Sequence, residues 1–209
     1  IRIHAWVICF KDDSWGGWVS PTNTSYRNYL LGTIISPLIR QHNIDGLMLD
    51  YVRYPGNADG NTQPITSFCK AVKDIVVASG KDVIFSAAVM PEMDVNAYYY
   101  GQDYAAMAKY LSVLIPMAYT RNYRQDSRWV GKVTRYIASE IAGTDCTIWP
   151  ALQTIDDSGE FVSTCEVAAN IDACLANGAT GFNYFRYPVK DDQYVVAVRD
   201  KPTLQRRQK

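Results

Sequence analysis

Two acids in this sequence stand where a pair of carboxyl groups could work on one bond. Ile44-Asp45-Gly46-Leu47-Met48-Leu49-Asp50 is an apolar run that ends on a carboxylate, and Arg53 follows three residues later. An acid at the end of a buried strand is costly without partners, so Arg53 or nearby hydroxyls must hold Asp50, whether for structure or for catalysis. Ala87-Ala88-Val89-Met90-Pro91-Glu92 repeats the arrangement, an apolar run delivering an acid. Cleavage of a glycosidic bond uses such a pair: one carboxyl protonates the leaving oxygen and the other acts as base or nucleophile. Carboxyls about 5 Å apart imply retention, and about 6.5–9.5 Å leaves room for water and implies inversion. On this reading Asp50 is nucleophile or base and Glu92 the acid, although Glu92 reads equally well as a solvated loop acid. Asp12, Asp13, Asp156 and Asp157 are weaker candidates for the second carboxyl. Asp45 precedes a glycine at the opposite end of its strand and reads as a turn or capping residue.

Around these acids the sequence places Tyr54, Tyr119, Arg121, Gln153, Asn183, Tyr184, Arg186 and Tyr187 just past apolar runs, where they would line a polar, aromatic cleft. Trp15 and Trp18, set about Gly16 and Gly17, suit a stacking platform for the C–H faces of sugar rings, or a plug for the end of the fold. His4 lies in an apolar run and reads as a core histidine rather than a base. No Ser-His-Asp order and no metal-ligand spacing is present, so no cofactor is implied, and with only His4 and His42 a metal-dependent deacetylase is disfavoured.

The elements that must position these residues alternate between strand-length apolar runs and stretches of helical period, the pattern of parallel βα units. Strands are expected at Arg2–Cys9, Gly46–Asp50, Val83–Val89, Val113–Ala118, Thr147–Leu152 and Gly181–Phe185. Helices are expected at Tyr26–Gln41, Ile65–Ala78, Tyr98–Lys109, Trp129–Ile141 and Phe161–Leu175, with a short one near Asp192–Arg199. The expected fold class is α/β, a TIM-type (β/α)8 barrel of which six βα units are present. Such a barrel usually takes about 250 residues, so two N-terminal units are expected elsewhere, in a longer parent or supplied by another chain that covers the open edges. One domain over residues 1–200 and a basic tail over 201–209 are expected. In a barrel of this kind the chemistry sits where strands end, which gives Asp50 its weight. A doubly wound sheet is the alternative, but no strand leads into GxGxxG or a phosphate loop.

The 209 residues carry 21 basic and 21 acidic side chains, a balance that offers nucleic acid or an anionic membrane no electrostatic footprint. Fifteen Tyr and five Trp suit a neutral, ring-shaped ligand as well as core packing. No run of about twenty apolar residues is present, so membrane insertion is not expected. The five cysteines, Cys9, Cys69, Cys146, Cys165 and Cys174, lack CxxC spacing; at most one or two bridges are expected, and Cys146 and Cys174 could meet at one end of the barrel to form a bridge.

Asp45-Gly46-Leu47-Met48-Leu49-Asp50-Tyr51-Val52-Arg53-Tyr54-Pro55 resembles the glycosyl hydrolase-like family ten, a group of polysaccharide-cleaving barrels. His4-Ala5-Trp6 is similar to that family's third strand, Tyr100-Gly101-Gln102-Asp103-Tyr104 to the segment before strand six, and Ile115-Pro116-Met117-Ala118-Tyr119-Thr120 to strand six. The similarity spans residues 2 to about 188 and implies that this chain holds strands three to eight. It implies an extracellular or cell-surface glycoside hydrolase acting on a polysaccharide, such as a cell-wall glycan, and leaves the role of Asp103 open. A broader similarity to chitinase-type barrels breaks at Val52, where that pattern has its general-acid glutamate. The rival reading is a surface domain that binds glycan without cleaving it.

Overall fold

The computed structural model of the chain describes residues 1–187. The short helix expected near Asp192–Arg199 and the basic tail lie outside the described residues. The chain folds as two compact units, Ile1–Leu114 with Glu140–Thr147, and Ile115–Ser139 with the residues from Ile148 onward.

In the first unit, β1 (His4–Ile8) pairs in parallel with a strand introduced below and stands at the edge of the sheet. A small antiparallel hairpin, β2 (Lys11–Asp12) and β3 (Gly17–Trp18), follows it. The helix expected over Tyr26–Gln41 is α1 (Thr24–Tyr29), a π-helical stretch Leu30–Ile35, and α2 (Ser36–Gln41). Pro37 explains the switch. It has no N–H to give to the preceding turn and its ring crowds that turn, so the backbone widens ahead of it and Ser36 N–H bonds to Leu31 O.

Two further strands, β4 (Gly46–Asp50) and β5 (Ile84–Val89), complete the order β1-β4-β5, with α3 (Gln63–Ala78) between them in sequence. The register sets His4 opposite Gly46, Trp6 opposite Met48 and Ile8 opposite Asp50. Because side chains alternate, Val7, Leu47, Leu49, Phe85 and Ala87 are buried on one face. Buried with them are Ile65, Phe68, Cys69, Val72 and Val76, which recur at helical spacing on α3. Phe10 seals the end of β1 edge-on against Phe68, ring centroids 5.1 Å apart. The other face carries Trp6, 57% exposed, and Ile8, with Asp50 half-buried beside them. His4, expected as a core histidine, also lies on this face and is exposed, because its strand is an edge strand and its position has the parity of Trp6 and Ile8.

The helix expected over Tyr98–Lys109 is two short helices, α4 (Asn96–Tyr100) and α5 (Tyr104–Ala108). Gly101 separates them in the left-handed region, φ 69°, and Asp103 caps α5 by accepting from Ala106 N–H at 2.9 Å.

Strand β6 (Val113–Ala118) and helix α6 (Ser127–Glu140) each run across the division between the units. In the second unit β6 pairs in parallel with β8 (Ala151–Gln153), and β8 with β9 (Asn183–Phe185). The strand expected over Thr147–Leu152 is broken into β7 (Thr147–Ile148) and β8, because Pro150 lacks a donor for a continuous ladder. Helix α7 (Thr164–Ala176) starts later than expected, since Val162 N–H pairs with Thr154 O and Ser163 takes the N-cap. Val167, Ile171 and Cys174 of α7 form a core with Ala118, Val130, Leu152 and Val162.

All five cysteines are free. The bridge considered between Cys146 and Cys174 is absent: the Cys146 thiol faces Thr147 O and the Cys174 thiol faces Ile171 O, 3.2 Å away. No helix among the described residues is long and apolar enough to cross a membrane.

Lys81 closes the end of α2. Its ammonium donates to Ile39 O at 2.8 Å, His42 O at 2.9 Å and Arg40 O at 3.3 Å, a cation on the negative end of a helix. Lys81→Met keeps the aliphatic stem and removes the charge; chemical denaturation is expected to show a loss of about 1–2 kcal/mol. An unchanged midpoint and slope would show that water satisfies those carbonyls equally well.

Candidate functional site

Asp50 ends β4, but the backbone ladder continues past it, with Cys9 N–H on Asp50 O at 2.8 Å and Phe10 N–H on Tyr51 O at 3.1 Å. The chain then turns sharply, with Tyr51 at φ 50° in the left-handed region that side chains rarely adopt. This turn brings the Tyr51 N–H back onto Asp50 Oδ1 at 2.7 Å, while the indole N–H of Trp6 donates to Oδ2 at 3.2 Å. The sequence reading gave the task of holding Asp50 to Arg53 or to hydroxyls. The holders are instead an indole and a backbone amide, and Arg53 acts on the acid through its charge alone.

Burial raises the pKa of Asp50 above its ordinary value of 3.8, outweighing the Tyr51 N–H, the Trp6 indole and the Arg53 charge, which pull it down. Arg53 is itself enclosed by aromatic rings. Its guanidinium lies 4.8 Å from the Trp18 ring centroid, 5.3 Å from that of Tyr100 and 5.4 Å from that of Tyr51, and donates to Tyr54 O at 3.1 Å. The Glu92 carboxylate lies close enough to Tyr100 for its charge to act on the phenol. Burial first, then the Glu92 charge, push that phenol up, and Arg53 pulls it down. Asp50, Arg53, Tyr100 and Glu92 thus act on one another within one unit, Arg53 on Asp50 through its charge and Glu92 on Tyr100 through its own.

A buried amide holds the loops that carry these groups. Gln102, wholly buried, accepts from Met90 N–H at 2.8 Å and donates to Val52 O at 3.3 Å and Ala88 O at 3.2 Å, and its own carbonyl accepts from Asn96 Nδ2 at 2.8 Å. It therefore ties the chain two residues past Asp50 to the chain two residues before Glu92. Gly101 is required beside it: a Cβ there would lie 2.8 Å from Tyr54 Cδ2. Asp103, of open role in the sequence, is the cap of α5 that starts the next turn.

Of the other sequence candidates in the first unit, Trp18 faces Arg53 and Tyr51, whereas Trp15 packs edge-on against buried Tyr26, 5.0 Å between centroids. Tyr54 is buried beneath Gly101, with 8% exposure. Asp12 caps a short turn through Ser14 and also accepts from Tyr26 Oη; the Ser14 hydroxyl is the main cause of its lowered pKa. Asp13 pairs with Lys11. Asp45 accepts from Ile3 N–H at 2.7 Å at the far end of β4.

The remaining candidates lie in the second unit. Tyr119 stacks on Phe185, centroids 4.9 Å apart. Arg121 is engaged by Glu166 in a forked pair, with contacts at 2.8, 3.1 and 3.2 Å, on the wall of an open cleft of about 510 Å³. Gln153 is buried and spends its amide on Arg121 N–H at 3.0 Å, on Asn122 N–H at 3.3 Å and on the Asn122 side chain. Tyr184 packs on the core near Phe182. Arg186 is exposed and accepts at its carbonyl from Thr154 Oγ1. Asp156 holds a turn through Ser158, and Asp157 accepts from the Asn122 amide at 2.9 Å.

Sequence reasoning missed Trp6, Tyr51, Tyr100 and Gln102 as site residues. All four lie in segments that carry the family resemblance, which was the signal available. Their partners depend on strand register and loop path.

No family model matches this sequence, and no curated protein does. Solved structures do match. The glycoside hydrolase domain of PgaB (BpsB) from Bordetella bronchiseptica superposes with a TM-score of 0.70 at 14% identity, over 98% of this chain and 74% of that one. A class V chitinase from Pseudomonas fluorescens Pf-5 gives 0.70 at 12% identity over 95% and 80%, and the endo-β-1,4-mannanase from Thermotoga petrophila 0.63 at 13% over 93% and 56%. At these identities the likeness shows the fold, a TIM-type β/α barrel fold of which this chain holds part, and the fold class read from the sequence is the one found.

Two outcomes test the site's construction. Gln102→Leu leaves buried Val52 O, Ala88 O and Met90 N–H without that partner, and urea denaturation is expected to show a loss of about 2–4 kcal/mol, since each buried unsatisfied group costs about 1–3 kcal/mol. A smaller loss than that of an exposed control would mean the loops are held elsewhere. For Asp50 the folded state binds its proton more tightly than the unfolded state, so folding is favoured with the group protonated. The wild type should therefore lose stability relative to Asp50→Asn as pH rises from 3.8 through the higher folded-state value. A stability difference that stays flat across that range would refute the desolvated acid.

Proposed function

We propose that this chain is the greater part of a glycoside hydrolase barrel that cleaves an extracellular or cell-surface polysaccharide. The observation that carries the reading is Asp50, a partly desolvated acid at the end of a parallel strand, held by Trp6 and the Tyr51 N–H, with Arg53 acting on it through its charge. The fold likeness to chitin- and mannan-cleaving enzymes supports the reaction class, and the family-ten resemblance of Asp45 to Pro55 supports a cell-wall glycan as substrate.

In this proposal Asp50 is the proton donor to the glycosidic oxygen as the C–O bond breaks, a role that its burial at the strand end favours by raising its pKa. Glu92, as carboxylate, either takes a proton from the attacking water or bonds the anomeric carbon before water does. These roles reverse those expected from the sequence, because desolvation raises the pKa of Asp50. Tyr100 lies by Glu92, and Arg53 supplies positive charge near Asp50.

A second reading, glycan binding without cleavage, is favoured by one observation. Val52, where the chitinase pattern has its acid, is fully buried and its carbonyl serves Gln102, so that position has no catalytic function here.

Reducing-sugar release from chitin, β-mannan and bacterial cell-wall glycan, with binding measured in parallel, separates the two. Asp50→Asn and Glu92→Gln are each expected to lower release by about 10²-fold or more while binding persists, the usual scale for loss of a general acid or base. Binding without release by the wild type would leave a recognition domain, and release that survives both substitutions would move the chemistry elsewhere.

A further inference from the structure

Tyr98, Tyr99 and Tyr100 occupy three consecutive positions at the end of α4, and only the last is used by the site described above. Tyr100 faces Arg53 and Glu92. Tyr99 lies 6.5 Å from Tyr100 and Tyr98 lies 5.2 Å from Tyr99, ring centroid to ring centroid. Trp18 and Tyr51 also contact Arg53, so the rings form one connected series of contacts from Trp18 to Tyr98.

The backbone beneath this strip is fixed. A five-residue helix leaves its last carbonyls without partners in the helix. Here the loop after Tyr54 supplies them: Tyr54 N–H bonds to Tyr100 O, Ala58 N–H to Tyr99 O and Gly60 N–H to Tyr98 O, each at 3.0 Å. The loop is thereby tied along the tyrosine run, with Gly56 beside the Tyr100 ring and Gly60 beside that of Tyr98. The rings of Tyr98 and Tyr99 are left 53% and 46% exposed, unlike Tyr26, Tyr54 and Tyr104, which are buried in packing. Neighbouring Asn57, Asp59 and Asn61 are exposed along the same loop. Apolar ring surface flanked by amides and a carboxylate suits a ligand with C–H faces and many hydroxyls, namely a chain of pyranose units. The 88° angle between Tyr98 and Tyr99 makes a corner in which one ring offers its face and the other its edge.

We propose that Tyr98 and Tyr99 form a distal sugar-binding subsite, pre-organised by the loop from Tyr54 to Asn61, so that the substrate is a polymer reaching several units beyond the cleaved bond. This rests on the glycoside hydrolase reading for the direction in which the chain lies. A rigid platform loses little freedom on binding, so the rings contribute mainly to affinity for long chains.

The test is calorimetric binding of N-acetylglucosamine and β-1,4-mannose oligomers, two to six units long, to the Asp50→Asn protein with and without Tyr98→Ala and Tyr99→Ala. Affinity should rise with length in the parent. The loss on removing both rings should grow with length, to about tenfold for six units, as expected for stacking contacts of about 0.5–1.5 kcal/mol each. Tyr98→Phe with Tyr99→Phe keeps the rings and should keep the length dependence, which separates stacking from any folding defect. Length dependence unaffected by the alanines, or no binding of either oligomer series, overturns the subsite. Reducing-sugar release by the wild type is read separately. Length-dependent binding lost with the rings but without any release would sink the hydrolase reading and leave the subsite standing, and release with an unaltered length dependence would do the reverse.

Discussion

The register that sets Ile8 opposite Asp50 is the constraint on which the candidate site depends. Side chains on a strand alternate faces, so this register puts Trp6 and Asp50 on the same face and within hydrogen-bond reach. A slip of one residue would turn the indole toward the helices and leave the acid with one donor. The same alternation sends Val7, Leu47 and Leu49 into the core, so the burial that stabilises the first unit also pins the geometry of its acid. Packing and chemistry share one degree of freedom.

Around Asp50 the electrostatics are set by competition rather than by pairing. A guanidinium placed directly on the carboxylate would hold it ionised. Instead Arg53 spends its donor on Tyr54 O and lies among the rings of Trp18, Tyr51 and Tyr100, close enough to act on Asp50 only through space. Desolvation then prevails, and the acid is biased toward its protonated form. The second unit shows the opposite arrangement. Arg121 is forked directly onto Glu166, and both groups serve to fix the start of α7 against the end of β6. Two arginines that look alike in sequence thus do different work, because one meets rings and the other meets a carboxylate.

Turn geometry at the strand ends carries the rest. Tyr51 and Met93 both adopt positive φ, each directly after a candidate acid, and such positions cost of order 1–3 kcal/mol, which the surrounding structure must hold in place. Gln102 does much of that holding. One buried amide serves the loop after Asp50 and the loop before Glu92, which makes the relation between the two acids a property of a side chain that no solvent reaches.

Much of this was legible in the residues themselves. Alternating strand and helix periods point to parallel βα units, and an apolar run that ends in Asp50 points to the end of a strand, because burial leaves a compositional trace along the chain. Local breaks were readable in principle too: Pro37, Pro150 and Gly101 each lack a donor or a Cβ, and each is where an expected element is interrupted. Partners distant in sequence left no such trace. That Trp6 rather than Arg53 holds Asp50, that Gln153 is buried, and that Tyr100 lies against Arg53 and near Glu92 were decided by register and loop path, which bring together residues 44 and 47 positions apart. Sequence by itself determined the alternation of strand and helix along the chain, since that follows from local periodicity; tertiary structure alone decided which donors reach which acids, since hydrogen bonds and desolvation depend on distance in space.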